Sequence, residues 1–387
     1  MREVRITGIG STAFGKHEGR GIESLAVEAA SDALDDARLD REEIGAFYLG
    51  NFISGPLTGQ EVLAGIVADE LGLPDVPCTK VEGACASGGI AFRHAVLAVS
   101  HGLCDAALVT GVEKMTHARG VEVTQALNCA MDNRSDGPSG MTFPGLYGLA
   151  WRIHADRHGT TRDDVSAVVI KNKRNGLKNP LAQMGADLTP ETIAQSPPVA
   201  DPLQLYDCCP VSDGAAALVV EAADRAEGRG NEPVAVRAAV QTRGSARIAG
   251  HADICSFAAS VSAARQAFEA AGLGPADIDL VELHDCFSIA EILDSEDLGL
   301  VPRGEGARWA AEGRTAVGGD LPINPSGGLL AKGHPVGATG VGQIYEAVLQ
   351  LRGAHPNQVA DAGIAMTHNL GGTGVVCTVS ILARPDV

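Results

Sequence analysis

Ala-rich amphipathic stretches alternate with short apolar runs along this chain, and the same succession occurs twice. Ala33–Asn51 (ALDDARLDREEIGAFYLGN) aligns without a gap on Ala267–Asp285 (AFEAAGLGPADIDLVELHD). Each reads as the end of a helix, a short acidic connection and a strand. The connections are Arg41-Glu42-Glu43 and Ala276-Asp277; the strands are Ile44–Leu49 and Ile278–Leu283. A second pair follows in the same order. The Gly83–Gly89 segment (GACASGG) opens a helix at Ile90–Val99, and Gly333–Gly340 (GHPVGATG) opens another at Val341–Leu351. Strands at Ala106–Thr110 and Ala362–Met366 come next. The pattern predicts an α/β protein of two similar halves packed as layers.

Between the halves the texture changes. Turn residues are dense from 116 to 200, for example in Asp132–Gly140 (DNRSDGPSG), which reads as an inserted loop domain. The Gly214–Val220 run (GAAALVV) returns as a buried strand of the first half, and Glu221–Glu232 is a polar link. The expected units are 1–115 plus 201–225, the insert 116–200, and 233–387.

A length of 387 residues fits two or three domains at roughly 150 residues each. The net charge of −18 argues against nucleic-acid binding, which needs a positive face. It leaves room for an anionic small substrate on a local basic patch. No apolar run is long enough for a membrane span, and the start lacks a signal-peptide pattern. Nine scattered cysteines point to a reduced, cytoplasmic setting.

Several motifs fall away. Gly8–Ala13 (GIGSTA) is followed by Phe-Gly-Lys-His and no helix, so it is no dinucleotide fingerprint; His17 stands where a P-loop needs Ser or Thr. Cys208 and Cys209 are adjacent and there is no Cys-x-x-Cys, so no metal is expected. Cys78, Cys104, Cys129 and Cys377 read as buried structural cysteines.

Cys85 differs. It lies where a strand ending near Val81 gives way to a helix beginning near Ser87, and a helix N-terminus favours thiolate. Flanking Gly and Ala leave room for an acyl group. His334 lies on the matching loop of the second half, and His284 and Cys286 lie at the end of the repeated strand. If the halves pack about a pseudo-twofold, all four meet in one crevice. One thiolate then takes an acyl group, a second thiol moves a proton at carbon, and histidine N–H groups hold an enolate oxygen.

Four motifs, with the Cys85 turn, run in order over essentially the whole chain: Cys85-Ala-Ser-Gly-Gly, His284-Asp-Cys-Phe-Ser, Asn324-Pro-Ser-Gly-Gly-Leu, Lys332-Gly-His-Pro-Val-Gly-Ala-Thr-Gly and His368-Asn-Leu-Gly-Gly-Thr-Gly. The chain thereby resembles thiolases, most of all the sterol-carrier-protein-X type. The resemblance implies the thiolase fold: two five-stranded mixed sheets in αβαβα layers, with a loop domain covering coenzyme A. It implies Cys85 as acylated nucleophile and His334 as its activator. With His284, His334 would form an oxyanion hole. A second hole would come from backbone N–H at Cys85 and near Leu370 or Gly371. The family's usual C-terminal cysteine is replaced by His368-Asn369-Leu370, which makes Cys286 the candidate acid/base.

Coenzyme A as co-substrate brings phosphates. Lys171, Lys173, Arg174 and Lys178 are the candidate basic cluster, or else a solvated helix face. Met141, Phe143 and Tyr147 line the pantetheine tunnel, the acyl pocket or the insert core. Ser256 is a further candidate contact. The resemblance also implies a homodimer or dimer of dimers and, as an expectation, a small OB-fold and zinc-ribbon partner. A thiolase-fold aldolase or acyltransferase, and a non-catalytic lipid- or CoA-binding protein, are the alternatives. The aldolase reading weakens because Cys85, His334 and Cys286 occur together. The intact reactive groups count against the binder.

Overall fold

The computed structural model describes residues 1–226 and 231–387. Part of the expected polar link, residues 227–230, lies outside them. Its beginning is no link, because Glu221 and Ala222 still belong to a strand.

The first half contributes β1 (Val4–Ser11), β2 (Ala46–Gly50), β3 (Cys78–Val81) and β4 (Ala106–Glu113). A small ribbon, β5 (Pro198–Ala200) with β6 (Leu203–Gln204), closes the insert. β7 (Gly214–Ala222) then completes the first half. The second half supplies β8 (Val234–Arg243), β9 (Leu280–Glu282), β10 (Ile364–Gly371) and β11 (Val376–Ala383). One sheet of nine strands runs β3-β2-β4-β7-β1-β8-β11-β10-β9. The repeat is visible in this order. β2 lies parallel to β4 in the first half as β9 lies parallel to β10 in the second. The two halves are stitched by a short antiparallel seam, Arg5 opposite Ala235 and Ile6 opposite Val234. Among the described residues the second half supplies four strands rather than five: at the outer side of β9 a parallel bridge, Val281 to Ile323, takes the fifth place.

The seven longer helices that matter here are α1 (Ile22–Ala37), α2 (Ser87–Ser100), α3 (Phe143–His158), α4 (Arg162–Lys178), α5 (Ala258–Ala271), α6 (Ser288–Asp297) and α7 (Thr339–Leu351). The Ala-rich faces of α1 and α5 cover the outer faces of the two sheet halves. α2 and α7 pack on each other between the halves and touch strands of both. The three larger apolar cores among the described residues follow from this layering. One lies under α1, one around α2 and α7, and one under α5 that continues into α3 and α4. The acidic connections of the repeat are 3₁₀ turns at Arg41–Glu43 and Pro275–Asp277.

The region read as a turn-rich insert is largely helical. α3 and α4 pack into the core of the second half, as does Leu203. Cys208 bridges Phe287, so the first half resumes at Gly214 and not at 201. Cys377 is buried as expected, but Cys78 and Cys129 are exposed and Cys104 is half-buried. Cys78 is on the edge strand β3, where its strand neighbours Thr79 and Lys80 are also unburied.

Candidate functional site

Glycines set how closely the two halves meet. A Cβ on Gly337 would lie 2.6 Å from the Val112 carbonyl oxygen and 2.7 Å from Asn51 Cα. These neighbours are backbone, so they have no side chain to swing away. The 333–340 loop of one half therefore rests directly on the strand ends of the other. Glu113 reinforces this. Its buried carboxylate accepts from Asn51 Nδ2 (2.8 Å), Phe52 N (3.0 Å), Ile53 N (3.3 Å) and Gly337 N (3.1 Å). Burial pushes Glu113 up to about 7, and its donors work against that rise. Gly337→Ala is expected to destabilise the fold by about 1–3 kcal/mol through overpacking. It should also cost on the order of 10²-fold in turnover, as a displaced catalytic loop does. Thermal melts and steady-state rates check both; wild-type values would mean that the loop tolerates a Cβ.

Cys85 lies in a single 3₁₀ turn, Ala84–Ala86, between β3 and α2. Ala84 has φ 49°, the left-handed region, where a residue with a Cβ is strained by about 1–3 kcal/mol. Ser87 holds the turn. Its Oγ accepts from Gly83 N (3.0 Å) and donates to the Ala84 carbonyl (2.6 Å). Burial pushes the Cys85 thiol up to about 12, while backbone N–H groups of Gly372 and of Cys85 itself pull it down. The sequence points to a helix-stabilised thiolate, but desolvation is the largest influence on Cys85 and favours the thiol.

Cys85 Sγ and one ring nitrogen each of His284 and His334 lie within 4.8 Å of one another. The two rings meet edge to face at 4.9 Å between centroids. Their outer partners fix opposite tautomers. His334 Nδ1 is 2.6 Å from Thr339 Oγ1, and that hydroxyl donates its own proton to the Pro335 carbonyl (3.0 Å). The Thr339 oxygen must then accept, so His334 carries its proton on Nδ1 and presents a bare Nε2. At His284 the Asn369 amide nitrogen donates to Nδ1 (2.9 Å), so the proton sits on Nε2. One histidine therefore offers a base and the other a donor. Burial lowers both, His334 to about 3, so both stay neutral. A thiol and two imidazoles at this spacing also form a ligand set for a soft cation.

His284 and Cys286 lie on consecutive tight turns after β9. Asp285 N donates to the Leu283 carbonyl (3.1 Å) and Cys286 N to the His284 carbonyl (3.0 Å). The 324–330 loop clamps this segment. Asn324 Oδ1 accepts from Leu283 N (2.9 Å), and the Asp285 carboxylate accepts from Leu329 N (2.7 Å) and Asn172 Nδ2 (2.8 Å). Cys286 is buried, in electrostatic reach of Cys85, Cys209 and Asp294, and its thiol is held well above the ordinary range, chiefly by desolvation.

Other expected contacts fall elsewhere. Leu370 and Gly371 are paired in the β10–β11 ladder, and the N–H reaching Cys85 belongs to Gly372, one residue on. Gly372 has φ +61°, and a Cβ there would lie 2.9 Å from the Ala130 carbonyl oxygen. The basic cluster on α4 is engaged within the protein. Lys171 pairs with Glu291 (2.9 Å) and the Ile323 carbonyl (2.5 Å); Lys173 is buried against the Leu330 carbonyl (2.6 Å). Arg174 pairs with Asp187 (2.7 Å), and Lys178 donates to Asn357 (3.0 Å). Lys171 and Lys173 are turned into the protein, while Arg174 and Lys178 lie exposed on the solvent side of α4. Ser256 Oγ donates to Asp297 (2.7 Å). Phe143 packs on the second-half core beside Tyr147, while Met141 precedes α3 near Gly145. Sequence reasoning missed Thr339, Asn369, Gly372 and Cys209. Of these, Thr339, Asn369 and Gly372 lie in motifs that had been singled out for a site role.

A layered fold of two like halves, with a thiol and two imidazoles at their junction, defines an acyltransferase class. Residues 4–224 match the model of the thiolase N-terminal domain and residues 240–384 that of the thiolase C-terminal domain. The chain belongs to the thiolase family. It is 45% identical to an acetyl-CoA acetyltransferase of Methanothermobacter thermautotrophicus, over 99% of this chain and 100% of that one. It is 35% identical to the benzoylsuccinyl-CoA thiolase subunit BbsB of Thauera aromatica, over 96% and 95% of the two chains. Among solved structures it resembles the Ltp2-ChsH2(DUF35) aldolase, with a TM-score of 0.85, 27% identity and coverage of 99% and 98%. No helix among the described residues is long and apolar enough to cross a membrane.

Proposed function

We propose that this enzyme interconverts 3-oxoacyl-CoA and coenzyme A with acyl-CoA and acetyl-CoA, through a thioester on Cys85. The observation that carries this reading is the meeting of Cys85 with the two imidazoles within 4.8 Å. In the cleavage direction Cys85 passes its proton to His334 Nε2 as the sulfur attacks the C3 carbonyl. Backbone N–H groups of Cys85 and Gly372 hold the resulting oxyanion. The C2–C3 bond then breaks, and its electrons form the enolate of acetyl-CoA. His284 Nε2–H and the new His334 Nε2–H hold the enolate oxygen. Cys286 gives its proton to C2; a thiol that is protonated at rest suits this role. Coenzyme A then yields its proton to the Cys286 thiolate and attacks the acyl group, and Cys85 leaves with the proton of His334.

Mass spectrometry after mixing with acetyl-CoA tests the reading, with an acetyl group expected on Cys85. Cys286→Ala should still acylate there and lose carbon–carbon turnover by about 10²–10⁴-fold. Full turnover in that variant removes Cys286 from the mechanism, and an unmodified Cys85 removes the acyl-enzyme.

The reading extends to a cytoplasmic enzyme of lipid metabolism, in keeping with nine unpaired cysteines. It also extends to a homodimer or dimer of dimers. The likeness to the Ltp2-ChsH2(DUF35) aldolase supports a partner of the DUF35 kind, for which the expected form is a small OB-fold and zinc-ribbon protein. The same likeness favours a second reading, aldol cleavage of a CoA thioester, in which Cys85 stays unacylated.

A further inference from the structure

Phe287, the residue after Cys286, opens α6 without a side-chain cap, since its ring has no acceptor to offer the first N–H groups. What fixes the start of this helix comes from elsewhere in the chain. Asp207 is fully buried at the end of the 3₁₀ turn Leu205–Asp207. It accepts from Ser288 Oγ (2.7 Å), on the first residue of α6. It also accepts from both arms of the Arg162 guanidinium (2.7 and 2.6 Å) and from Gln204 N (2.8 Å). Arg162, the first residue of α4, is itself set by the Trp151 ring at 4.7 Å and by a bond to Ser166 Oγ (3.2 Å). A carboxylate gripped at both oxygens by a guanidinium is fixed in orientation as well as in place.

Beyond Asp207 the chain runs antiparallel to the segment that bears Cys286. Cys208 bridges Phe287, and Cys209 N donates to the Cys286 carbonyl (3.0 Å). Cys286 is thus held on two sides, its own carbonyl by Cys209 and the helix that follows by Asp207. We propose that Asp207 is a positioning residue for the carbon–carbon step: anchored on Arg162, it locks the start of α6 through Ser288 and so aims the Cys286 thiol at the substrate carbon. This rests on the acid/base role given to Cys286 above. The bonds that seat Cys85 and His334 run through Ser87, Thr339 and Ser212 instead. Loosening the clamp therefore reaches the acid/base thiol and spares the pair that forms the acyl-enzyme.

Ser288→Ala cuts the link and leaves the Arg162–Asp207 pair whole. It is compared with wild type, with Cys286→Ala and with the double variant. Mass spectrometry follows Cys85 acylation, and labelled product follows condensation. The expected result is acylation at the wild-type rate and a condensation kcat about 10- to 100-fold lower at unchanged KM. Adding Ser288→Ala to Cys286→Ala should cost nothing further, because the thiol that it aims is already gone. Asp207→Asn, which weakens the bonds to both Arg162 and Ser288, should show the same split with a larger loss; where it does not fold, Ser288→Ala decides alone. Wild-type condensation in Ser288→Ala, or in a folded Asp207→Asn, would overturn the inference. So would an equal loss in acylation, or a full further loss in the double variant, since either marks a merely structural role. In each of these cases an inactive Cys286→Ala leaves the reading of the reaction intact. A Cys286→Ala enzyme with full turnover overturns both.

Discussion

Cys85→Ala is expected to lose turnover by about 10⁴-fold or more, with no covalent adduct after exposure to acetyl-CoA. Removing an activated nucleophile costs about as much as removing the whole group that serves it, because no other side chain can form the intermediate. Cys209 and Cys286 lie in electrostatic reach of Cys85, and both are held well above ordinary thiol pKa values, chiefly by burial. Neither has the paired imidazoles at hand that Cys85 has. The loss of a single sulfur should leave the Ala84–Ser87 turn in place, since the hydrogen bonds that hold it run among Glu82, Gly83, Ala84, Ala86 and Ser87 and none of them uses the Cys85 sulfur. The variant should therefore melt as wild type. Residual turnover above about 1% would mean that acyl transfer runs directly between bound thioesters. Single-turnover mixing with a labelled acyl-CoA, followed by peptide mapping, makes the distinction.

His334→Ala should lower acylation of Cys85 by about 10²–10⁴-fold, the span of general-base catalysis. A thiol raised to about 12 is almost wholly protonated at neutral pH, so the proton must leave as the sulfur attacks. The bare Nε2 of His334 is the acceptor placed for it. A second expectation follows from the sign of its shift. An ordinary histidine loses base function as pH falls through about 6.5. The His334 imidazole, lowered to about 3, stays unprotonated far below that. The acylation rate of the wild type should therefore show no acid limb near pH 6.5 from this group. Stopped-flow acylation between pH 5 and 8 checks the point; a limb centred near 6.5 that vanishes in His334→Gln would reverse it.

Much of this architecture was readable from the chain. The repeated strand pair, the turn bearing Cys85 and the loop bearing His334 are written locally, in apolar spacing and in glycines that only a tight approach requires. The meeting of Cys85 with His284 and His334 followed from the repeat itself. What escaped was decided by tertiary surroundings. Lys171 and Arg174 read as a cationic cluster, yet each finds a carboxylate, Glu291 or Asp187. Cys85 does precede α2 as read, but desolvation of its sulfur raises the thiol, which local sequence does not record. Thr339 and Asn369 set the tautomers through single hydrogen bonds between side chains, and no periodicity records such a bond. The helical character of 143–178 was masked by turn residues around it, although Thr142 and Thr161 cap those helices in the regular way.

The direct backbone contact at Gly337 joins the loop of one half to the strand ends of the other. In the proposed reaction the nucleophile comes from one half and the base, donor and second thiol from the other, so chemistry would begin only after both have folded and docked. A nascent chain released before its second half is complete would carry a buried-type cysteine on an unfinished surface and no means of using it, which keeps stray acylation out of the assembly path.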